Sequence, residues 1–195
     1  MKRIVLALAT AAVLAGCAAP ITKVAGGPVV LAERMNVQGD VAWNQLPPHL
    51  SGQAPAAATW TVDGLSLDTM NFYVGVKDGT QMGTMPQGKE AQQIVFKSAM
   101  QAHEVVAMFG NLYSRDGSSF TLDKLESAEF LGGKGYRFHY TVVRKLDEVK
   151  LAGVGWAAVR SGELHAITFT APHKGFFPRH AAKVEKVAAT AQLKG

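Results

Sequence analysis

The sequence predicts an α+β fold in which an antiparallel sheet, built from an N-terminal hairpin and a C-terminal meander, is flanked by two helices. Apolar residues recur at every second position in much of 120–171, and turn signals divide this segment into strands. Two other segments, near 99–114 and at the C-terminal end, have the apolar spacing of amphipathic helices. Asp63-Gly64, between two short apolar runs, predicts the hairpin.

Composition limits the classes of protein to which the chain can belong. It has 195 residues, of which 48% are hydrophobic and 18% are charged, and it contains one cysteine. This length suits one domain with a hydrophobic core, and the apolar content argues against a mostly disordered chain. A single cysteine excludes an intramolecular disulfide framework. The net charge of +5 is too small to indicate a nucleic-acid partner, since part of it lies in a segment predicted to be removed.

The first residues have the pattern of a secretory signal peptide. Lys2 and Arg3 precede an uncharged apolar run, 4–14. As a helix this run measures about 16 Å, which is too short to span a bilayer. It leads into Leu14-Ala15-Gly16-Cys17, which resembles the bacterial lipobox. The alternative is an ordinary secretory signal with an incidental cysteine.

The lipobox resemblance implies cleavage between Gly16 and Cys17, a diacylglyceryl thioether on the Cys17 sulfur, and an N-acyl (palmitate-type) chain on its new α-amine. Side-chain charge falls from +5 to +3, because Lys2 and Arg3 are lost. The membrane is then a partner through the lipid anchor. Ala18 instead of Asp implies the outer membrane with the domain in the periplasm, while surface exposure and inner-membrane retention stay open.

The predicted organisation is a lipoprotein signal peptide at 1–16, an acylated cysteine with a flexible tether at 17–27, and a single α+β domain at 28–195. The domain opens with a Val/Leu-rich run that ends at a Gln38-Gly39-Asp40 turn. The hairpin arms are predicted at 60–62 and 65–67, and the second arm continues through 71–76.

Residues 79–97, rich in Gly, Gln and Met, predict mostly loop. Ser98 and Gln101 form a capping-box pattern for a helix near 99–114. A second amphipathic helix is predicted from Phe176 or Phe177 to Leu193. The strands predicted for the meander are 122–130, 135–145, 149–159 and 163–171.

This element order, together with the closing pattern Ile167-Thr168-Phe169-Thr170-Ala171-Pro172 and Phe176-Phe177, resembles the PsbP-like fold. An extrinsic photosystem subunit and a nuclear Ran-binding factor share that fold. The segment from Trp60 through Lys77-Asp78-Gly79 resembles a group of uncharacterised proteobacterial lipoproteins, a likeness that covers nearly the whole mature chain. The resemblances imply a PsbP-like α/β/α sandwich and supply no catalytic residue set, and the photosynthetic role does not follow from the fold alone.

Several histidines are candidate site residues. His103-Glu104 begins like a zinc-protease helix, but Ala107 stands where the second histidine is needed, which favours a surface pair. His165, His173 and His180 share one region and are expected in a strand, a loop and a helix. Their spacing leaves open whether they converge as a metal or proton-transfer cluster or are separate histidines.

Other patterns favour structural interpretations. Gly153-Val154-Gly155-Trp156-Ala157-Ala158 satisfies G-x-G-x-x-A, but a dinucleotide site needs that loop between a strand and a helix. We predict instead glycines at a bulge or beneath the Trp156 ring. A turn is predicted at Gly132-Gly133-Lys134-Gly135, and Asp63 and Asp68 are expected in turns. A modest basic stretch, for which a solvated sheet face is favoured over attraction to anionic headgroups, comprises Lys134, Arg137, Arg144 and Lys145.

The sequence therefore predicts no catalytic residue, no metal site and no cofactor. We expect a lipid-anchored lipoprotein of the cell envelope that acts as a non-catalytic accessory, scaffold or partner-binding factor, with an envelope protein as a further partner and no nucleic acid. The alternative is binding of a small apolar ligand or lipid in a cleft between sheet and helix. That alternative is suggested by the adaptable side chains of Met82, Met85, Phe96 and Met100.

Overall fold

The structure is a computed structural model that describes residues 20–24, 26–39, 43–51, 55–85 and 92–194. The strands are β1 Thr22–Val24, β2 Gly27–Leu31, β3 Met35–Gly39, β4 Trp43–Gln45, β5 Ala58–Thr61, β6 Thr69–Val76, β7 Gln81–Met85, β8 Gln92–Val95, β9 Ser119–Phe130, β10 Gly133–Val143, β11 Lys150–Arg160, β12 Glu163–Pro172 and β13 Gln192–Leu193. The helices are α1 Pro48–Ser51, α2 Ala102–Ser114 and α3 Phe176–Ala189. Cys17 and Gly16 lie outside the described residues.

An eight-stranded sheet forms the centre of the molecule, in the order β1-β4-β5-β6-β12-β11-β10-β9, with antiparallel neighbours. Its four long strands, β9 to β12, are the predicted meander. Short connections require antiparallel neighbours, and the alternating apolar pattern identified their faces. The prediction of an α+β fold with a large antiparallel sheet and two principal helices is confirmed.

Both faces of the sheet are covered. On one face, α3 and a small sheet of order β13-β3-β2 close a core that includes Ile167 and Phe169 of β12. On the other face, α2 and the β7–β8 pair close a second core that includes Leu164 and Ala166. Successive side chains of a strand point to opposite faces, so β12 contributes to both cores. Among the described residues, no helix is long and apolar enough to cross a bilayer.

The start of α2 and the end of α3 differ from the sequence prediction. The Gln101 N–H donates to the Glu104 carboxylate at 2.8 Å, so the capping box pairs these two residues and the predicted Ser98–Gln101 box is wrong. The Ser98 N–H donates to Asp78 instead. Helix α3 ends at Ala189 and not at 193, because the chain then extends as β13 and pairs with β3.

Two segments predicted without regular structure are strands. Residues 81–85 and 92–95 pair as β7 and β8, because Met82 and Ile94 pack into the core beneath α2. The Gln and Met residues of these strands gave no strand signal in the sequence. Within the predicted tether of 17–27, residues 22–24 form β1, which pairs with β4 and buries Val24. The folded part of the chain thus starts nearer to Cys17 than predicted.

The glycines of β11 are covered by aromatic rings of β10. Gly153 is paired with Tyr140 and Gly155 with Phe138, and each ring lies over the glycine opposite. A Cβ atom at either glycine would fall well inside van der Waals contact with that ring. The predicted position beneath Trp156 is wrong, since Trp156 points to the opposite face and belongs to the other core. The predicted turn at 132–135 is also shorter, because β10 already begins at Gly133.

Gly155→Ala is therefore expected to destabilise the domain. Inserting a methyl group into a packed core typically costs about 1–3 kcal/mol, because the ring and the backbone must move apart. The measurement is the free energy of unfolding from urea titrations followed by tryptophan fluorescence. Gly26→Ala is the control, since a Cβ there meets its nearest neighbour, the Gly39 carbonyl oxygen, at 3.7 Å. Equal stabilities of the two variants would contradict the packing role.

Candidate functional site

The loop at 62–68, which joins β5 to β6, is built around the buried carboxylate of Asp68. Asp68 accepts hydrogen bonds from the Thr61 hydroxyl at 3.0 Å, the Val62 N–H at 2.9 Å and the Asp63 N–H at 2.7 Å. The Gly64 N–H donates to the Thr61 hydroxyl at 2.9 Å. The β5–β6 hairpin exists, but Asp63-Gly64 is not a two-residue turn, because this carboxylate organises a longer loop.

The outer side of the same loop is fastened to α3. The Asp63 carboxylate lies 2.6 Å from Nε2 of the buried His180 and 3.5 Å from the Arg179 guanidinium. A carboxylate only accepts hydrogen bonds, so Nε2 carries the proton in this contact. His180 also packs edge-on against Phe169. This pair therefore connects the loop to the helix and to the core beneath it.

A third contact joins the loop to the turn at 144–149 between β10 and β11. The Arg144 guanidinium donates to the Ser66 carbonyl at 3.1 Å and forms a two-pronged ion pair with Asp147. Arg137, also in the predicted basic stretch, pairs with Glu185 and lies over the Trp156 ring. These two arginines are thus half-buried and paired with carboxylates.

Apolar side chains surround this part of the molecule and point to solvent. We call them the leucine end: Ile21, Leu50, Leu65, Leu67 and Leu146, with exposed fractions of 55%, 40%, 44%, 36% and 92%. A groove of about 370 Å³ is lined by Ile21, Leu50 and Leu65. An adjoining groove of about 340 Å³ is lined by Leu50, Leu65 and Leu67 together with Arg144. The predicted strand arm at 65–67 is therefore wrong, because these residues form a solvent-facing turn.

The three C-terminal histidines have separate environments. His165 lies in β12 and its Nδ1 accepts a hydrogen bond from the Gly75 N–H at 3.2 Å, whereas His180 contacts Asp63. His173 is exposed in the turn after β12. Within the part of the chain that the structure describes, no group of three His, Cys, Asp or Glu side chains is placed to hold a metal ion. His103 is exposed on α2, and its neighbour Glu104 caps that helix.

The methionine and aromatic set that suggested a ligand cleft completes the core beneath α2. Met82 and Phe96 are buried there, and Met85 and Met100 pack against the same core from partly buried positions. The feature that motivated the alternative thus has a packing explanation.

Sequence reasoning missed the leucine end and its supporting carboxylate. Leu65 and Leu67 alternate with polar residues, which is also the pattern of a half-buried strand. Asp68, placed just before the apolar run of β6, was the available signal, because a buried Asp commonly accepts hydrogen bonds from a neighbouring turn.

No protein-family profile matches the chain, and no curated protein matches it in sequence. Among solved structures, the chain is similar to the solution structure of cyanobacterial PsbP (CyanoP) from Synechocystis sp. PCC 6803. The TM-score is 0.49 and the identity 12%, and the match covers 88% of this chain and 98% of that chain.

Asp68→Asn is expected to destabilise the domain. The amide keeps the size of the side chain. Its NH₂ group cannot accept a hydrogen bond, so it would face the Thr61 hydroxyl or the backbone N–H groups that Asp68 now accepts from. Hydrogen bonds to a buried charged group are worth about 1.5–3 kcal/mol, so the free energy of unfolding should fall by roughly that amount. Asp78→Asn is the control, since the exposed Asp78 accepts one backbone hydrogen bond, from Ser98. Faster amide exchange in 62–68 should accompany the loss, and unchanged exchange there would contradict it.

His165→Asn is expected to weaken the dependence of stability on pH. Burial lowers the pKa of His165, and the nearby Arg34 lowers it further. The unfolded chain therefore binds more protons than the folded chain below the ordinary value of about 6.5, so wild-type stability falls as the pH drops through that value. Asn removes this contribution and can still accept from Gly75. Urea titrations at several pH values measure the slope, with exposed His103→Asn as control; an unchanged slope would contradict the assignment.

Proposed function

We propose that the chain is a bacterial lipoprotein whose α+β domain is held at the periplasmic side of the outer membrane, where it acts as a non-catalytic accessory, scaffold or partner-binding factor. The observation that carries this proposal is Leu14-Ala15-Gly16-Cys17 directly after an uncharged apolar run. The proposal places the chain with the proteobacterial lipoproteins that its sequence resembles.

The anchor follows from the chemistry at Cys17. A diacylglyceryl thioether and an N-acyl group would give three fatty chains on one residue. Each buried methylene contributes about 0.8 kcal/mol, so three chains hold a protein far more firmly than one. Only residues 18–21 separate this anchor from β1. Because an extended residue spans at most about 3.6 Å, the folded domain would stay within roughly 20 Å of the bilayer surface.

The polar residues of the candidate site have structural roles, which agrees with a non-catalytic function. Asp68 organises the loop at 62–68, His180 fastens Asp63 to α3, and Glu104 caps α2. These side chains are explained by the contacts that they make within the domain. Crosslinking in intact cells, followed by identification of the neighbours, tests for an envelope protein partner. Turnover of an envelope substrate that is lost on one polar substitution would contradict the proposal.

Ligand binding in a cleft between sheet and helix is the alternative. Native mass spectrometry of protein purified from membranes distinguishes it, because a co-purifying apolar molecule of constant mass would favour the alternative.

Cys17→Ser is expected to abolish acylation and release the protein from the membrane fraction. Serine offers no thiol to form the thioether, so neither lipid transfer nor the cleavage that depends on it takes place. Intact-mass analysis and fractionation of a producing diderm bacterium are the measurements. Ala18→Asp is the matched control, since it leaves the sulfur in place and should keep the acylated mass while shifting the protein to the inner membrane. An unchanged mass and unchanged retention in Cys17→Ser would contradict the anchor.

A further inference from the structure

We propose that the leucine end docks on the lipid surface of the membrane that carries the anchor, so that the domain has a fixed orientation on the bilayer. This inference rests on the proposed lipid anchor. It goes beyond it, because an anchor alone would let the domain rotate freely at the end of its tether.

Four apolar side chains of the leucine end, those of Ile21, Leu50, Leu65 and Leu67, line two adjoining grooves. Leu50 and Leu65 line both grooves, which links Ile21 on one side to Leu67 on the other. Leu146 lies in the turn at 144–149, which Arg144 joins to Ser66 of the loop at 62–68. Contiguous exposed apolar surface on a soluble domain marks a site of contact with a protein or a membrane.

The opposite end of the sheet provides the contrast. Arg34 follows β2 and forms an ion pair with Glu163, which marks this end at the start of β12. The leucine end lies near the other end of β12, because Thr69, which follows the loop at 62–68, pairs with Thr170. Ten residues of strand separate these ends by about 30 Å. Outside the leucine end, the exposed large apolar residues among those described are Val30, in β2, and Leu122, on the edge strand β9.

The position of the anchor selects lipid as the occupant. Cys17 is four residues before Ile21, and four extended residues span at most about 14 Å. Ile21 lines the same groove as Leu65, so fatty chains on Cys17 would bring the leucine end to the bilayer surface.

The leucines are held ready for contact. Asp68 fixes the loop from inside, the Asp63–His180 pair fixes it to α3, and Arg144 fixes it to the neighbouring turn. A surface that is already ordered loses little conformational entropy on binding. Three polar contacts thus keep this apolar loop ordered in solvent, which suits it to binding a partner.

The test measures lipid contact separately from anchoring. Acylated Cys17 has no free thiol, so Leu67→Cys supplies the one thiol that reacts. It is labelled with an environment-sensitive fluorophore in the acylated protein. The protein is reconstituted into phosphatidylethanolamine–phosphatidylglycerol vesicles. Val30→Cys is the matched control at the opposite end, and Leu146→Cys is a second reporter, since Leu146 is 92% exposed and its replacement leaves the core intact. We expect a blue shift and several-fold weaker iodide quenching at 67 and 146 than at 30.

Equal quenching at all three positions, with the protein still bound to vesicles, would overturn the docking surface while leaving the anchor standing. Loss of vesicle binding with an unmodified Cys17 mass would overturn the anchor, and with it the inference. Shielding at 67 that is the same without vesicles would identify a second copy of the chain as the occupant. Shielding that appears only when envelope proteins are added would identify a protein partner. Each of the last two results would also overturn lipid docking.

Discussion

The burial of the central sheet on both faces is the constraint on which the rest of this structure depends. Strand β12 sends Ile167 and Phe169 into one core and Leu164 and Ala166 into the other, so each face needs its own cover. Helix α3 with β13-β3-β2 supplies one cover, and α2 with β7–β8 supplies the other. Two-sided burial also explains the glycines of β11, because the rings of Phe138 and Tyr140 fill the space in which their side chains would stand.

The meander could be predicted from the sequence because two local signals agree there. Apolar residues alternate along β10, and short turns with residues at positive φ, such as Ser161-Gly162, separate β11 from β12. The pairing of β7 with β8 could not be predicted in the same way. Its strands are short, and β7 has one β-branched residue, Thr84. Both strands are stabilised by the contacts of Met82 and Ile94 with α2, a helix further along the chain. Tertiary packing decides such segments, and local propensity does not.

At the candidate site, too, the sequence indicated residue types but not the contacts that those residues make. Asp63-Gly64 is a strong local hairpin signal. The conformation of the loop is nevertheless set by the hydrogen bonds that its backbone donates to Asp68, five residues beyond Asp63. The contact between Asp63 and His180 joins residues far apart in sequence, and no spacing rule anticipates it. Residue type marked the C-terminal histidines as chemically interesting. Their partners, a backbone N–H for His165 and a carboxylate for His180, give them different structural roles.

Exposed apolar side chains are concentrated at one end of the domain, because both faces of the central sheet are covered. The helices and the small sheets cover both faces. The edge strand β9 carries exposed charges such as Asp123 and Lys124, which discourage pairing with another strand. The end near Ser161-Gly162 is closed by short turns. The opposite end bears the loop at 62–68 and the turn at 144–149, and it also receives the chain at β1. Apolar side chains and the entry of the chain thus coincide at one end. Under the lipid anchor proposed above, this end can face lipid without rearrangement of either core.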